Sequence, residues 1–281
     1  MTYKDFGLVN TREMFARAMA GGYAIPAFNF YNIETLQAIL DAADETNSSV
    51  ILAVSESALK YMGADLLMGM MRGKNFRPGN IALHQDHGGS VESCVRAIEL
   101  GFSSVMFDGS HLSIDKNITQ TKLVVEYAHK FDVTVEAELG VLAGIEDENT
   151  QSEFGSYTNP ADVVRFVNET ECDSLAIAIG TSHGAYKRKS ESEELRFDIL
   201  AAVAQQLPEF PLVLHGASNI PRHLVEQINE FGGDIGDARG IPGEQIRRAV
   251  SMNVCKINVD SDARLAFTAA VRQSLVQTPA N

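Results

Sequence analysis

The chain is poor in cysteine, in basic residues and in long apolar runs, and each shortage removes a class of protein. The three cysteines (Cys94, Cys172, Cys255) are scattered and form no CxxC pair, which argues against a disulfide framework or a cysteine-rich metal knot and fits a reducing compartment. No apolar run approaches the ~18 residues a membrane-spanning helix needs. The opening MTYKDFGLVNTREMFARAM has no apolar signal core, so we expect a cytoplasmic protein with no membrane association. Lys and Arg number 23 against 37 Asp and Glu, a net charge of −14. A nucleic-acid partner needs a basic face and is not expected. Any anionic ligand must be held by a local site acting against the global field.

What remains is an ordinary globular composition, 45% apolar and 21% charged over 281 residues, enough for one large domain or two small ones at ~100–200 residues each. The informative feature is rhythm. Eight β-rich runs are read at 24–30, 50–55, 81–87, 104–109, 133–140, 174–180, 211–216 and 255–260. Their Val, Ile, Leu and Ala content suits strands buried on both faces, as parallel sheets require. Helical stretches follow at 33–45, 91–100, 115–130, 160–169, 191–207, 221–229, 244–252 and 262–276. The first of these places Ile33, Leu36, Ile39 and Leu40 on one stripe. Asn159-Pro160 reads as an N-cap with proline at the first helical position. The alternation predicts a parallel α/β fold, an eight-stranded (β/α)8 TIM barrel forming a single domain over 1–281. A doubly wound open sheet is the runner-up; it usually shows a Gly-rich first turn, and none follows the first strand here. Loops at 141–159 and 186–191 follow the fifth and sixth strands, where barrel enzymes place lids. A third, at 232–242, is read as approaching the eighth strand from the other side.

Nearly every predicted strand ends in a polar or ionisable group: Asn29, Ser55, Asp86 and His87, Asp108, Glu138, His183, His215, then Asn258 and Asp260. Unpaired polar groups are costly to bury, so such regularity points to a shared mouth. Three of the seven histidines are followed by glycine (His87, His183, His215), each ending a different strand. Three converging imidazoles with an open fourth position form the catalytic zinc pattern. His84, in phase with Asp86, reads as a satisfied core residue. His129 and His223 read as solvated helix residues, and His111 lies near the mouth. Gly184, Gly216, Ser218 and Ser261 sit at loop-to-helix junctions of the kind that bind phosphate, although Ser218 and Ser261 also read as simple caps. A divalent metal beside a phosphate site and carboxylates suits carbonyl chemistry on a phosphorylated sugar.

The runs HQDHG (84–88), SVMFDGSH (104–111), VEAELG (135–140), AIGTSHGAYK (178–187), LHGASNIP (214–221) and KINVDSDAR (256–264) resemble the class II, zinc-dependent ketose-bisphosphate aldolases. They are most similar to the shorter branch that includes fructose-1,6-bisphosphate aldolase. The resemblance implies reversible cleavage of fructose 1,6-bisphosphate to dihydroxyacetone phosphate and glyceraldehyde 3-phosphate. It implies one Zn2+ per subunit on His87, His183 and His215, with Glu138 and Asp108 as secondary metal-facing carboxylates. It leaves room for a monovalent cation, Na+ or K+. Asp86 would shuttle the C4 hydroxyl proton, and Glu146 would move the enediolate proton. Asn258 would align the enediolate, while Gly184, Gly216, Ser218 and Ser261 hold its phosphate. Asp260 would contact substrate hydroxyls, Lys187 would flank the substrate, and Asn29 at the mouth is counted among the substrate-binding residues. Ser55 would reach the second phosphate, as would Arg264 from a neighbouring subunit, which implies a homodimer or homotetramer. Gln85 and Phe107 depart from the usual family residues, and the family continues past position 281 with a helical segment this sequence lacks.

Four alternatives stand beside this. Tagatose 1,6-bisphosphate is the other ketose substrate of the same mechanism. Lys256, in phase with Asn258 and Asp260, could form a Schiff base, although an ion-paired core lysine is the simpler reading of it. A non-catalytic sugar-phosphate-binding barrel and a zinc hydrolase complete the set.

Overall fold

The computed structural model describes residues 2–73, 76, 79–146, 149–150, 155–187, 194–236 and 238–279, with backbone only at 145–146 and 149–150. Eight strands close into a parallel barrel: β1 (Ile25–Asn29), β2 (Val50–Ser55), β3 (Ile81–Gly88), β4 (Ser104–Phe107), β5 (Thr134–Leu139), β8 (Ser174–Ile177), β9 (Leu212–Leu214) and β10 (Val254–Val259). A two-residue antiparallel ladder, β6 (Ile145–Glu146) with β7 (Asn149–Thr150), lies in the long loop after β5. The ring closes where Ile25 of β1 registers with Lys256 of β10 and Phe28 with Val259. All eight predicted strands are present, five of them shorter than predicted; at β4 and β9 the polar ends Asp108 and His215 leave the ladder.

Strand alternation sorts side chains between two environments. In β2, Val50, Leu52 and Val54 join the large outer core under the helices, whereas Ile51 and Ala53 face inward. In β5, Val135, Ala137 and Leu139 pack outward, and the buried Glu136 and Glu138 alternate with them. The inward residues form layers. Ile25, Ala27, Ile51, Ala53, Ala82 and Cys255 pack with Met14, Phe15 and Ala18 of α1 (Thr11–Gly21), which closes the floor.

The helices begin where capping chemistry allows. Asn32 accepts from Thr35 N–H ahead of α2 (Ile33–Glu45). Ser90 accepts from Ser93 N–H ahead of α5 (Val91–Leu100). Asn159 caps α7 (Pro160–Thr170) with proline in the first turn, as the sequence predicts. The remaining expected helices are α6 (Ile114–Ala128), α8 (Phe197–Gln206), α9 (Arg222–Glu230), α10 (Gly243–Val250) and α11 (Ser261–Gln277). The predicted start of the helix after the sixth strand, at 191–193, lies outside the described residues.

Two features were not anticipated. Helix α1 precedes the βα rhythm; it buries Thr11, Met14, Phe15 and Ala18, a helical spacing that lies outside the strand–helix alternation on which the reading rested. Between β2 and β3 run α3 (Glu56–Met62) and α4 (Ala64–Arg72), divided at Gly63, whose φ of 81° no helix accommodates. The 232–242 loop also behaves differently: Arg239 exchanges backbone hydrogen bonds with Ala185 and Lys187, and Ile241 N–H donates to Ser218 O, so its distal half packs at the mouth.

Candidate metal and phosphate site

Asp86 and His87 are consecutive, so a regular strand would send them to opposite faces. The β3–β4 register shifts between Gln85 and Gly88, and His87 takes a φ of 47°. A non-glycine residue held there is strained, and such strain collects at functional sites. Both side chains thereby reach the mouth. At β9 the left-handed Gly216 (φ 60°) serves the same end: a Cβ there would lie 2.6 Å from the Ser182 carbonyl carbon. Only glycine lets the turn after His215 press against the segment carrying His183.

The three histidines meet. The His87 ring centroid lies 4.4 Å from that of His215 and 5.2 Å from that of His183, both edge-on. Two tighter donor sets form around His87, each with ligand atoms within 4.8 Å of one another: Asp86, His87 and His215; and His87, Asp108 and Glu138. His183 belongs to neither set and stands at ring distance from His87.

Partners fix the tautomers. His87 donates from Nδ1 to Asp108 Oδ2 at 2.9 Å, with Glu138 Oε2 at 3.7 Å, which puts the ring lone pair on Nε2. His215 donates from Nε2 to Glu136 Oε1 at 2.7 Å. Its Nδ1 is buried, has no hydrogen-bond partner among the described residues, and sits 3.8 Å from Asp86 Oδ1. Burial first, and then His87, lowers the pKa of His215, so it is held as the neutral, ligand-competent imidazole. A buried imidazole lone pair facing a carboxylate and a second imidazole fits a divalent cation. With imidazole nitrogen and carboxylate oxygen donors and no cysteine, the set suits a divalent transition metal.

Asp86 is wholly buried and clamped. Asn29 Nδ2 donates to its Oδ2 at 2.8 Å, and Asn258 Nδ2 to its Oδ1 at 2.9 Å. Burial raises its carboxyl, but the facing His87, His215 and Lys256 outweigh it and hold the group well below the usual carboxylate range. For Asp108, burial is outweighed in the same way by the His87 hydrogen bond. Both are therefore anions at neutral pH.

Beside the donors lies a cavity of about 280 Å³ whose lining includes Asn29, His183, Gly184, Lys187, Gly216, Ser218, Asn258, Asp260, Ser261 and Arg264. Every predicted substrate-side residue except Ser55 is there. Ser55 pairs in register with Asp86 and caps α3, accepting from Ala58 N–H at 3.2 Å. The buried Lys187 donates to Ser182 O at 2.8 Å. Arg264 is held on its own chain: it donates to Asp260 at 2.9 and 3.0 Å and stacks 4.0 Å over the Tyr31 ring, while Tyr31 OH donates to Asp260 at 2.8 Å. The side chain of Glu146 lies outside the described residues.

Of the other histidines, His84 is a satisfied core residue as expected, bonded to Ser104 and Lys256. His111 and His223 are exposed, and His129 bonds to Asp173 at 2.9 Å. Lys256 is fully buried and paired with Glu136 at 2.8 and 2.9 Å, the ion-paired core lysine of the simpler reading. Sequence reasoning missed Glu136, Tyr31 and Asp262. Asp262 accepts from the backbone of Asn219 (3.0 Å) and Ile220 (2.7 Å) and pins the loop after His215. Its only signal was its place in the DSD run.

No described helix is long and apolar enough to cross a membrane. Comparison with known proteins gives a consistent picture. The family described as "Fructose-bisphosphate aldolase class-II" matches residues 9–281. The chain is 51% identical to a fructose-bisphosphate aldolase of Treponema pallidum, covering 98% of this chain and 88% of that protein. It is 48% identical to one of Thermus caldophilus, covering 97% and 89%. Among solved structures, the YdjI aldolase of Escherichia coli K12 superposes with a TM-score of 0.75 at 31% identity, covering 96% of this chain and 88% of that one.

Proposed function

The chain belongs to the class-II fructose-bisphosphate aldolase family, and from that premise we propose that it is a lyase cleaving fructose 1,6-bisphosphate reversibly into dihydroxyacetone phosphate and glyceraldehyde 3-phosphate. His87, His183 and His215 would hold a divalent metal, which we assign as zinc from the resemblance of the sequence motifs, with Asp108 and Glu138 beside them. When bound, that ion supplies a Lewis acid for the negative charge that develops as the carbon–carbon bond breaks.

The remaining work falls to the chain itself. Asp86, an anion oriented by two carboxamides, takes the proton of the C4 hydroxyl as the C3–C4 bond opens, and returns it in the condensation direction. Asn258 aligns the triose-phosphate fragment. The backbone at Gly184 and Gly216, with Ser218 and Ser261, receives its phosphate at the start of α11, and Lys187 adds local positive charge in an otherwise acidic molecule. Asp260 meets substrate hydroxyls. Ser55 and Arg264 are assigned to the second phosphate, Arg264 across a dimer or tetramer contact, and Glu146 to the proton of the three-carbon fragment. A single-domain cytoplasmic enzyme completes the proposal.

The observation that carries this reading is the buried Nδ1 of His215, facing Asp86 and His87 at the rim of a cavity lined by the phosphate-type residues. A coupled cleavage assay on fructose and tagatose bisphosphates tests it, run before chelation, after chelation and after adding Zn2+. Activity is expected to vanish and return. Full-rate turnover by chelated protein, or borohydride trapping of substrate on Lys256, would overturn it.

A further inference from the structure

Between the apolar floor and the metal-facing rim, the barrel carries a charged layer that the proposed reaction does not use. Barrel interiors are normally filled by branched apolar side chains. Here Lys256 of β10 donates to both oxygens of Glu136 of β5, at 2.9 and 2.8 Å, and to His84 Nε2 of β3 at 3.2 Å. His84 Nδ1 in turn meets Ser104 Oγ of β4 at 2.9 Å. Because lysine only donates, His84 must accept at Nε2 and donate from Nδ1. Each of these four residues is 2% exposed or less.

Taking an ammonium and a carboxylate out of water is costly, and an apolar pair of similar volume is often as stable. Packing alone therefore gives no reason for the layer. Its geometry does. The Glu136 oxygen that accepts from Lys256 at 2.9 Å, Oε1, also accepts from His215 Nε2 at 2.7 Å. Lysine locks the carboxylate as an anion in one rotamer. The anion fixes the ring plane and the Nε2–H tautomer of His215, and the lone pair of Nδ1 is thereby turned to the rim.

We propose that Glu136, held by Lys256, is a positioning residue for the metal site: the pair presets His215 with Nδ1 as the ligand atom. Hydrogen-bonded carboxylates behind metal-binding histidines typically contribute 10–100-fold in metal affinity. The inference rests on His215 being a metal ligand, and the experiment separates the two claims.

The test replaces both charges together, Glu136→Leu with Lys256→Met, so that neither is left buried alone. Zn2+ affinity is measured by chelator competition, and the visible spectrum is recorded on the Co2+-loaded protein. The expected result is a Kd for Zn2+ raised about 10–100-fold, an altered Co2+ spectrum, and thermal unfolding of the metal-free protein no lower than that of the parent. Glu136→Gln with Lys256→Met restores an uncharged acceptor and should recover part of the affinity. A Leu/Met variant that folds and binds Zn2+ within twofold of the parent overturns the inference. If the parent itself binds no Zn2+, the metal site fails instead. Should the Leu/Met variant not fold, nitrogen-15 NMR of the histidine rings in the metal-free parent decides. Nε2–H on His215 supports the inference, and Nδ1–H overturns it.

Discussion

The clamp on Asp86 offers the sharpest quantitative expectation. Asn29→Ala removes the 2.8 Å donor to Asp86 Oδ2 and leaves the Asn258 bond on Oδ1. A hydrogen bond to a charged group contributes about 1.5–3 kcal/mol. Asn29 and Asp86 are both buried, so little solvent is at hand to replace the lost donor. With one of two anchors gone, the carboxylate can swing about its remaining bond, and the proton-accepting oxygen loses its fixed place. If that loss appears in the transition state, kcat falls roughly 10–150-fold at 1.36 kcal/mol per decade. The three histidines proposed as ligands are untouched, so bound zinc should stay at the parent stoichiometry. Steady-state cleavage kinetics with zinc analysis on the same samples make the measurement. A variant with parent kcat and parent zinc content would show that the carboxamides do not orient Asp86 for proton transfer.

Other outcomes follow from different parts of the molecule. Gly216→Ala forces a side chain into a φ of 60° and within 2.6 Å of Ser182; it should cost roughly 1–3 kcal/mol in urea unfolding and lower zinc content, because His215 can no longer close on His183. Phe15→Ala opens the packed floor, where Phe15 is 1% exposed, and should cost roughly 3–5 kcal/mol with kcat little changed in the surviving folded protein. Asp132 holds Tyr3, Lys4, Asn10 and Arg12. The Lys4 hydrogen bond, opposed by slight burial and aided by Tyr3 and Arg12, keeps its pKa below the ordinary 3.8. A depressed carboxylate stabilises the fold above its unfolded pKa and loses that contribution as pH falls through the folded value. Because the group is half-exposed, the parent should exceed Asp132→Asn by no more than about 1 kcal/mol near pH 7 in urea unfolding, and the gap should shrink below pH 4. A gap that widens with acid would reverse the assignment.

Strands and their polar ends were legible because a parallel barrel writes both into the chain: apolar runs to bury two faces, then a ligand-bearing turn. That is why His87, His183, His215, Asp86, Asn258 and Asp260 could be named by position, whereas Lys187 and Arg264 came only from the resemblance of the motifs. The helix α1 was illegible because it belongs to the floor and not to the βα repeat, and α3–α4 because Gly63 divides a methionine-rich stretch into pieces too short for a clear stripe. Glu136 was passed over for a different reason. Strand alternation puts it inside the barrel, where apolar residues are expected, and its role depends on Lys256 lying 120 positions away. Tyr31 and Asp262 act only through contacts with Asp260 and the 219–220 backbone, which no local pattern announces. Arg264, expected across a subunit contact, stacks on Tyr31 within its own chain, a contact that no local pattern announces either.

Zinc K-edge absorption on the reconstituted protein tests the proposed metal centre most directly. The account predicts zinc bound by imidazole nitrogens, with His87, His183 and His215 contributing a shell at about 2.0–2.1 Å; substituting any one of them should remove its share of the histidine scattering. A shell containing sulfur, or a fully active protein that holds no zinc, would contradict it.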